Sequence, residues 1–355
     1  MHKLSMIKEN MDSSYVKQFS IEQLPEFCNQ IREKLIEIVS RTGGHIGVNL
    51  GVVELTVALH YTFDFPDDSL FWDVGHQIYV HKMLTGRLKK LETNRQNEGS
   101  PGYSFHKESI YDKVTSSHAG ASLSLGLGSA IGNQILKNNL YTISVIGDGS
   151  LVEGSSQEAL NHIAVENCKM LIILNDNERA IEENFGGLHE YLKKRQIGVE
   201  KQETYFSSLE IPYYGPIDGH NVITLVNELI RIKSNLRKPT ILHIKTIKGE
   251  GLENMLKNSP VKLHWNFKFD PFTGEDTESP RSTGYAKFSG DAIEKILLED
   301  PKAVLITPAV QSSTGIVNAF KKFPDRCYDV SLAEQHAITL GAGFALQGIK
   351  PIVCY

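Results

Sequence analysis

Two apolar runs in this sequence end in residues that bind hard cations. "YTISVIGDG" closes on Gly147-Asp148-Gly149, and "KMLIILNDN" closes on Asn175-Asp176-Asn177. An aspartate between glycines allows close approach of backbone and carboxylate to a ligand, although an isolated triplet of this kind is equally a surface turn. The second run shifts that balance. Short apolar runs of this type form strands of a parallel sheet, whose carboxyl ends open on the crevice where such sheets bind ligands. Magnesium takes about six oxygens, often shared between protein and phosphate, and Asp148 with Asn177 supply two. An amide as second ligand keeps the protein's negative charge low, which suits an anionic ligand such as a diphosphate.

Other residues stand where they can serve the same crevice. Of 13 histidines, His45 in "GGHIG", His76 in "DVGHQ" and His118 in "SSHAGAS" lie in glycine or serine loops, whereas His60 and His162 fall inside helical patterns. Lys248 in "IKTIKGEG" is placed to face an anion. Glu334 in "SLAEQHAITL" is, on local sequence, a helix N-terminal acid of the kind the macrodipole favours. The small residues of "SSHAGASLSLGLGSA" suit either close approach to a ligand or tight helix packing.

The elements that must hold these residues follow from periodicity. A helix begins near Pro25, with Ser20 and Gln23 as capping groups and Phe27, Ile31, Leu35 and Ile38 on one face. "VVELTVALHYTF" is helical, and "SLFWDVGHQ" is a short buried strand ending in a glycine loop. "SSQEALNHIAVEN", with a Ser155 to Glu158 capping pattern, is the helix joining the two metal-site strands. "KPTILHIKT" adds a further strand. Residues 258–281 are rich in Pro, Asp, Ser and aromatics and form a linker, after which helix, strand, helix and strand follow in turn. We therefore expect an α/β protein with parallel sheets flanked by helices. One domain spans residues 1–257, and a second, incomplete one begins at residue 282 and runs to 355.

The bulk properties set limits. A length of 355 residues favours more than one domain. A net charge of −5 without a long basic block argues against a nucleic-acid surface. Cys28, Cys168, Cys327 and Cys354 show no ligand spacing and read as reduced thiols of a cytoplasmic protein. No apolar stretch reaches the length of a membrane span, and the N-terminus lacks the apolar segment of a signal peptide.

Gly-Asp-Gly followed at this distance by Asn-Asp-Asn resembles the thiamine diphosphate signature of transketolase-like enzymes. More closely, "GGHIGVNLGVVELTVALHYTFDFPDDSLFWDVGHQIYVHKMLTGR", "GDGSLVEGSSQEALNH", "LNDNERAI", "GPIDGH" and "SLAEQHAITLGAGFALQGIKPIV" resemble the 1-deoxy-D-xylulose-5-phosphate synthases, over most of the chain from about Thr42. The resemblance implies a thiamine-diphosphate-binding fold, with thiamine diphosphate and Mg²⁺ as cofactors. It implies a transferase that condenses pyruvate with D-glyceraldehyde 3-phosphate, with loss of CO₂, at the start of non-mevalonate isoprenoid synthesis, and a homodimer. Carried over residue by residue, Asp148, Asn177 and the carbonyl of Arg179 are the metal ligands. Glu334 is the catalytic acid, with His45 and His118 catalytic beside it. His76, His118, Gly147, Asp148, Gly149, Ser150, Asn177, Lys248, His264 and Glu334 line the cofactor site. Two departures stand out: "SHAGA" where the family has Gly-His-Ser-Ser-Thr, and a short segment "LHEYLKKRQIGVEKQET", which implies a reduced lid. The rival readings are a ketol-transferring transketolase, against which Gln335 between Glu334 and His336 speaks, and a non-catalytic or split-subunit homologue.

Overall fold

The structure is a computed structural model and describes residues 5–195, 197, 204–252, 264–277 and 284–355. Five strands, β1 (Ser69–Trp72), β2 (Thr142–Gly147), β3 (Met170–Asp176), β4 (Tyr213–Asp218) and β5 (Thr240–Lys245), pair in parallel in the order β1-β2-β3-β5-β4. Parallel strands need crossovers, and the crossover helices bury both faces of the sheet, which is why β2, β3 and β5 are nearly unbroken apolar runs.

Helices α1 (Leu24–Thr42), α2 (Val53–Thr62), α3 (Ser122–Ile135), α4 (Gly154–Ile163) and α5 (Val222–Asn235) supply that cover. Side chains alternate along a strand, so Leu171 and Ile173 meet α1, α2 and α5, while Met170, Ile172 and Leu174 meet α3 and α4. The expected apolar stripe of α1, Phe27, Ile31, Leu35 and Ile38, is fully buried. Ser20 and Gln23 do cap, but they close the short 3₁₀ turn Ile21–Gln23 that feeds α1, with the Gln23 side chain accepting from the Ser20 N–H at 2.9 Å.

The Ser155 to Glu158 cap is corrected. α4 starts at Gly154, one residue before Ser155, and the Ser155 hydroxyl donates instead to the Gly120 carbonyl at 3.1 Å. The glycine-rich stretch also resolves at one point into packing. A Cβ on Gly126 would lie 2.1 Å from the Ser144 hydroxyl, so α3 sits on β2 at a distance only glycine permits.

A second, smaller part follows, made of α6 (Tyr285–Glu299), β6 (Ala303–Thr307), β7 (Cys327–Asp329), α7 (Glu334–Leu346) and β8 (Lys350–Val353). Its strands form a parallel sheet in the order β7-β6-β8 over a small core containing Leu297, Leu305 and Ile316. Strands β4 and β7 escaped the periodicity reading. β4 carries the cis Gly215–Pro216 peptide and shifts register between Tyr214 and Ile217, and β7 has three residues, so neither shows a strand pattern.

Of the expected linker, residues 264–277 are described, and they pack on the first part. Asn266 exchanges backbone hydrogen bonds with Gly44, both at 2.9 Å, and Phe269 is buried. The two parts also meet directly. The Ser331 hydroxyl donates to the Phe185 carbonyl at 2.9 Å, and Glu182 accepts from the Ser312 N–H at 3.3 Å and from its hydroxyl. Of the short lid segment, residues 196 and 198–203 lie outside the described residues.

Replacing Gly126 by valine should overpack α3 against β2 and cost about 1–3 kcal/mol. Urea unfolding of wild type and variant checks this, and equal midpoints would show that α3 can move away freely.

Candidate active site

β2 and β3 lie side by side with Gly147 opposite Asn175, so Asp148 and Asn177 leave the sheet at adjacent strand ends. Both line a cavity of about 310 Å³, together with Gly147, Gly149 and Ser150. Asp148 is 4% exposed. One of its oxygens accepts from Asn184 Nδ2 at 2.7 Å, and the other, Oδ1, has no partner. Burial, and then the nearby Asp176, push its carboxyl up to about 7. A cation at Oδ1 would offset both causes.

The three residues of Asn175-Asp176-Asn177 take different tasks. Asn175 accepts from the Thr246 hydroxyl at 2.6 Å. Asp176 turns to β5, where His243 Nε2 and Lys245 Nζ each lie 2.8 Å away, and His243 Nδ1 lies 2.6 Å from the Tyr213 hydroxyl. Asn177 is the one that reaches the cavity, with Arg179 beside it; Asn177 Oδ1 accepts from the Arg179 N–H at 3.1 Å.

The glycines bear on what approaches. A Cβ on Gly149 would press on Ala180 at 2.9 Å, whereas one on Gly147 would meet nothing of this chain within 4 Å. Gly147 therefore leaves space on the cavity side for a group outside the chain. Backbone strain gathers here too. Val74, Glu178 and Ala309 adopt left-handed φ of 60°, 63° and 56°; Val74 lines the cavity, Glu178 joins Asn177 to Arg179, and Ala309 lies between two lining residues. A β-branched residue in that region is costly and persists where packing overrides it.

His76, His264 and His45 form a triangle with ring centroids 5.3 to 5.5 Å apart. His76 and His264 line the cavity, and His45 stands behind them against Tyr103. Burial is the main force holding all three rings far below the ordinary value of 6.5, His45 at about 3, and the positive Lys248 adds to it in each case. They are neutral donors and acceptors at neutral pH. Lys248 is itself buried, donates to the Ala180 carbonyl and is pulled down to about 7 by burial. His118 is exposed, at the rim, with Nδ1 2.7 Å from the Ala119 carbonyl.

Glu334, at the start of α7 in the second part, lines this same cavity. Residues of one chain thus bring the Asp148 and Asn177 side chains and the Glu334 carboxyl to one space. Among the described residues no three His, Cys, Asp or Glu side chains are grouped as metal ligands. A site built from one carboxylate, one amide and one carbonyl needs no such group. The unpartnered Asp148 Oδ1, the open space at Gly147 and the buried Lys248 all fit a magnesium-bound diphosphate.

Three residues here were not singled out from the sequence. Asn184 orients Asp148. Asp73 accepts from the N–H groups of Gly120 and Ser122, each at 3.0 Å, and anchors the loop that carries His118. Glu153 is fully buried next to Glu334, with both carboxyl oxygens lacking a conventional donor. The available signal for Glu153 was its place closing "GDGSLVEG", one residue before a helix.

Two family models match the chain. Residues 4–203 and 194–246 match a family model described as 1-deoxy-D-xylulose-5-phosphate synthase. Residues 281–355 match one described as the pyrimidine binding domain of transketolase. A 1-deoxy-D-xylulose-5-phosphate synthase from Mannheimia succiniciproducens is 40% identical over 94% of this chain and 59% of its own length. One from Pseudoalteromonas translucida is 38% identical over 96% of this chain and 60% of its own. The chain thus spans about three fifths of the length of these relatives. Among solved structures, transketolases from Leishmania mexicana (17% identity, TM-score 0.56, 94% of this chain and 64% of that one) and Campylobacter jejuni (16%, 0.57, 94% and 65%) share the fold.

The buried histidines predict an acid sensitivity. An unfolded chain protonates His45 near 6.5 while the folded one refuses the proton until about 3. Stability is therefore present above about 6.5 and is lost as pH falls through that window. His45→Gln should flatten the fall in melting temperature between pH 6.5 and 4.5. An unchanged slope would mean that the ring is protonated in the fold.

Proposed function

The chain belongs to the 1-deoxy-D-xylulose-5-phosphate synthase family, and from that premise we propose that its cavity binds thiamine diphosphate with Mg²⁺ and that the protein joins pyruvate to D-glyceraldehyde 3-phosphate with release of CO₂. The product would be 1-deoxy-D-xylulose 5-phosphate, for isoprenoid synthesis, made by a cytoplasmic homodimer. The observation that carries this reading is the convergence of Asp148, Asn177 and Glu334 of one chain on one cavity.

In this reading Asp148, Asn177 and the Arg179 carbonyl hold the cation, with Asn184 fixing the orientation of Asp148. Gly147, Gly149 and Ser150 give the diphosphate a close approach, and Lys248 adds positive charge to the same wall. Thiamine diphosphate, when bound, supplies a nucleophilic thiazolium carbon and a sink for the electrons that decarboxylation releases. Glu334 holds a proton at a ring nitrogen of the pyrimidine. His76 and His264, neutral because they are buried, orient the carbonyl and hydroxyl groups of the reactants, and His45 supports them from behind. His118 at the rim meets the incoming substrates, where the "SHAGA" loop replaces the family's pattern. The domain division at residues 257 and 282 belongs to the same reading, with the diphosphate half in the first part and the pyrimidine half in the second.

Purified full-length protein with Mg²⁺ and thiamine diphosphate should release CO₂ from pyruvate when D-glyceraldehyde 3-phosphate is added. No release would sink the assignment, and efficient use of xylulose 5-phosphate as donor would point to ketol transfer instead. Glu334→Gln should lower turnover about 10²–10⁴-fold, the range for a lost acid-base group. Magnesium with cofactor at a hundredfold excess over the dissociation constant should stabilise the wild type by about 2.7 kcal/mol. Asp148→Ala should lose most of that gain, and equal stabilisation of both proteins would remove Asp148 from the metal site.

A further inference from the structure

His45 stands between two tyrosine hydroxyls, one at each ring nitrogen. Tyr79 Oη lies 3.5 Å from Nδ1, and Tyr103 Oη lies 3.5 Å from Nε2. The two tyrosines differ in their surroundings. Tyr79 is fully buried, whereas Tyr103 lines the cavity that Asp148, Asn177 and Glu334 share.

The positions of the protons follow from the donors and acceptors. The Tyr79 oxygen accepts from the His45 N–H at 3.2 Å and from the Asn94 side chain, whose nitrogen also donates to the Gly43 carbonyl at 3.4 Å. With both lone pairs engaged, the Tyr79 proton goes to the remaining acceptor beside it, His45 Nδ1. The hydroxyl comes this close because residue 44 is glycine: a Cβ there would lie 2.7 Å from it, at a φ of +135° that side chains rarely adopt. Asn49 fixes the relative placement, accepting from the Tyr79 N–H at 2.8 Å and donating to the His45 carbonyl at 2.7 Å. A neutral ring that accepts at Nδ1 carries its proton at Nε2. That N–H meets the Tyr103 oxygen. The Tyr103 proton is then left for the cavity, because His45 is the hydroxyl's one hydrogen-bond partner among the described residues. At 3.5 Å both contacts are long, and hydrogen bonds of this kind tighten when a reactant is bound.

The loop that carries Tyr103 is tied down on both sides. Lys82, fully buried, donates to the Ser100 hydroxyl at 2.9 Å, to the Pro101 carbonyl at 2.7 Å and to Glu108 at 2.6 Å. The Ser104 N–H donates to the Gly75 carbonyl at 3.1 Å. A hydroxyl held in this way loses little freedom on meeting a ligand. Charge narrows the choice of ligand: after burial, the cations Arg95 and Lys248 are what keep His45 unprotonated, so the surroundings favour an anion. In a 2-oxo acid the carboxylate is bonded directly to the reacting carbon, whereas the phosphate of the aldehyde stands at the far end of its chain. A donor beside the histidine triangle suits the carboxylate.

We propose that Tyr103 orients the 2-oxo acid by donating its hydroxyl proton to the carboxylate, while Tyr79 holds His45 as the Nε2–H tautomer that donates to Tyr103. The choice of ligand rests on the reading of the cavity as a pyruvate site. Tyr103 touches the reactant; Tyr79 is a positioning residue that acts through His45.

Nitrogen NMR of the full-length protein with histidine-selective labelling, in the presence of Mg²⁺ and thiamine diphosphate, reads the tautomer without turnover. The His45 signals, assigned by their loss in His45→Gln, should show the Nε2–H form in wild type. Tyr79→Phe should bring in the Nδ1–H form. An Nδ1–H ring in wild type, or a ring indifferent to Tyr79→Phe, would overturn the chain of donors.

Steady-state kinetics read the ligand. Tyr103→Phe keeps the ring and removes one hydroxyl, and it should raise the KM for pyruvate about tenfold, the worth of a hydrogen bond to a charged group. The KM for D-glyceraldehyde 3-phosphate, and the affinity for thiamine diphosphate by calorimetry, should stay as in wild type. Tyr79→Phe should raise the pyruvate KM by a smaller factor. A pyruvate KM equal to wild type in Tyr103→Phe, or a rise confined to the aldehyde, would overturn the assignment to the 2-oxo acid. If the wild type neither binds thiamine diphosphate nor releases CO₂, the reading of the cavity fails and takes the 2-oxo acid with it, while the NMR decides the donor chain by itself.

Discussion

The parallel pairing of β2 with β3 is the constraint on which the rest depends. Its register sets Gly147 opposite Asn175, and so delivers Asp148 and Asn177 to one rim of the sheet. That register is itself held by burial on both faces, since a slip by one residue would exchange the side chains that meet α1, α2 and α5 with those that meet α3 and α4. Gly126 against Ser144 and Asp176 against His243 then fix the two strands from outside.

Around that rim the chain accumulates groups whose ordinary chemistry is suppressed. Asp148 resists ionisation, Lys248 is weakened as an ammonium, and three histidines stay neutral, in each case chiefly because water is excluded. These are costs to folding. An anionic ligand with its cation would convert several of them into favourable contacts, which is the physical sense in which the site fits a magnesium diphosphate. The strained φ angles of Val74, Glu178 and Ala309 fall beside the same space.

Much of this was legible in the sequence, for identifiable reasons. Strand ends are marked by apolar runs that stop at Gly147 and Asn175, and α1 by its spacing. That Glu334 and Arg179 line the cavity was legible only through resemblance, because an acid at a helix start and a residue contributing through its backbone carry no local signal. Which of Asn175, Asp176 and Asn177 faces the cavity depends on side-chain alternation and on His243 in β5, a residue 67 positions from Asp176. Ser155 misled because the helix starts two residues earlier than its capping pattern implies, and Glu153 stayed hidden because it lies against Glu334, in the second sheet-centred part of the chain. Short irregular strands such as β4 and β7 gave no period to read.

The central claim is that one chain supplies both walls of one cofactor site. A crystal structure of the full-length protein with thiamine diphosphate and Mg²⁺ tests it most directly. The account predicts a cation on Asp148 Oδ1 and Asn177, with the pyrimidine ring against Glu334 of the same chain. A diphosphate bound away from Gly147, or a ring that meets Glu334 of another copy, would contradict it.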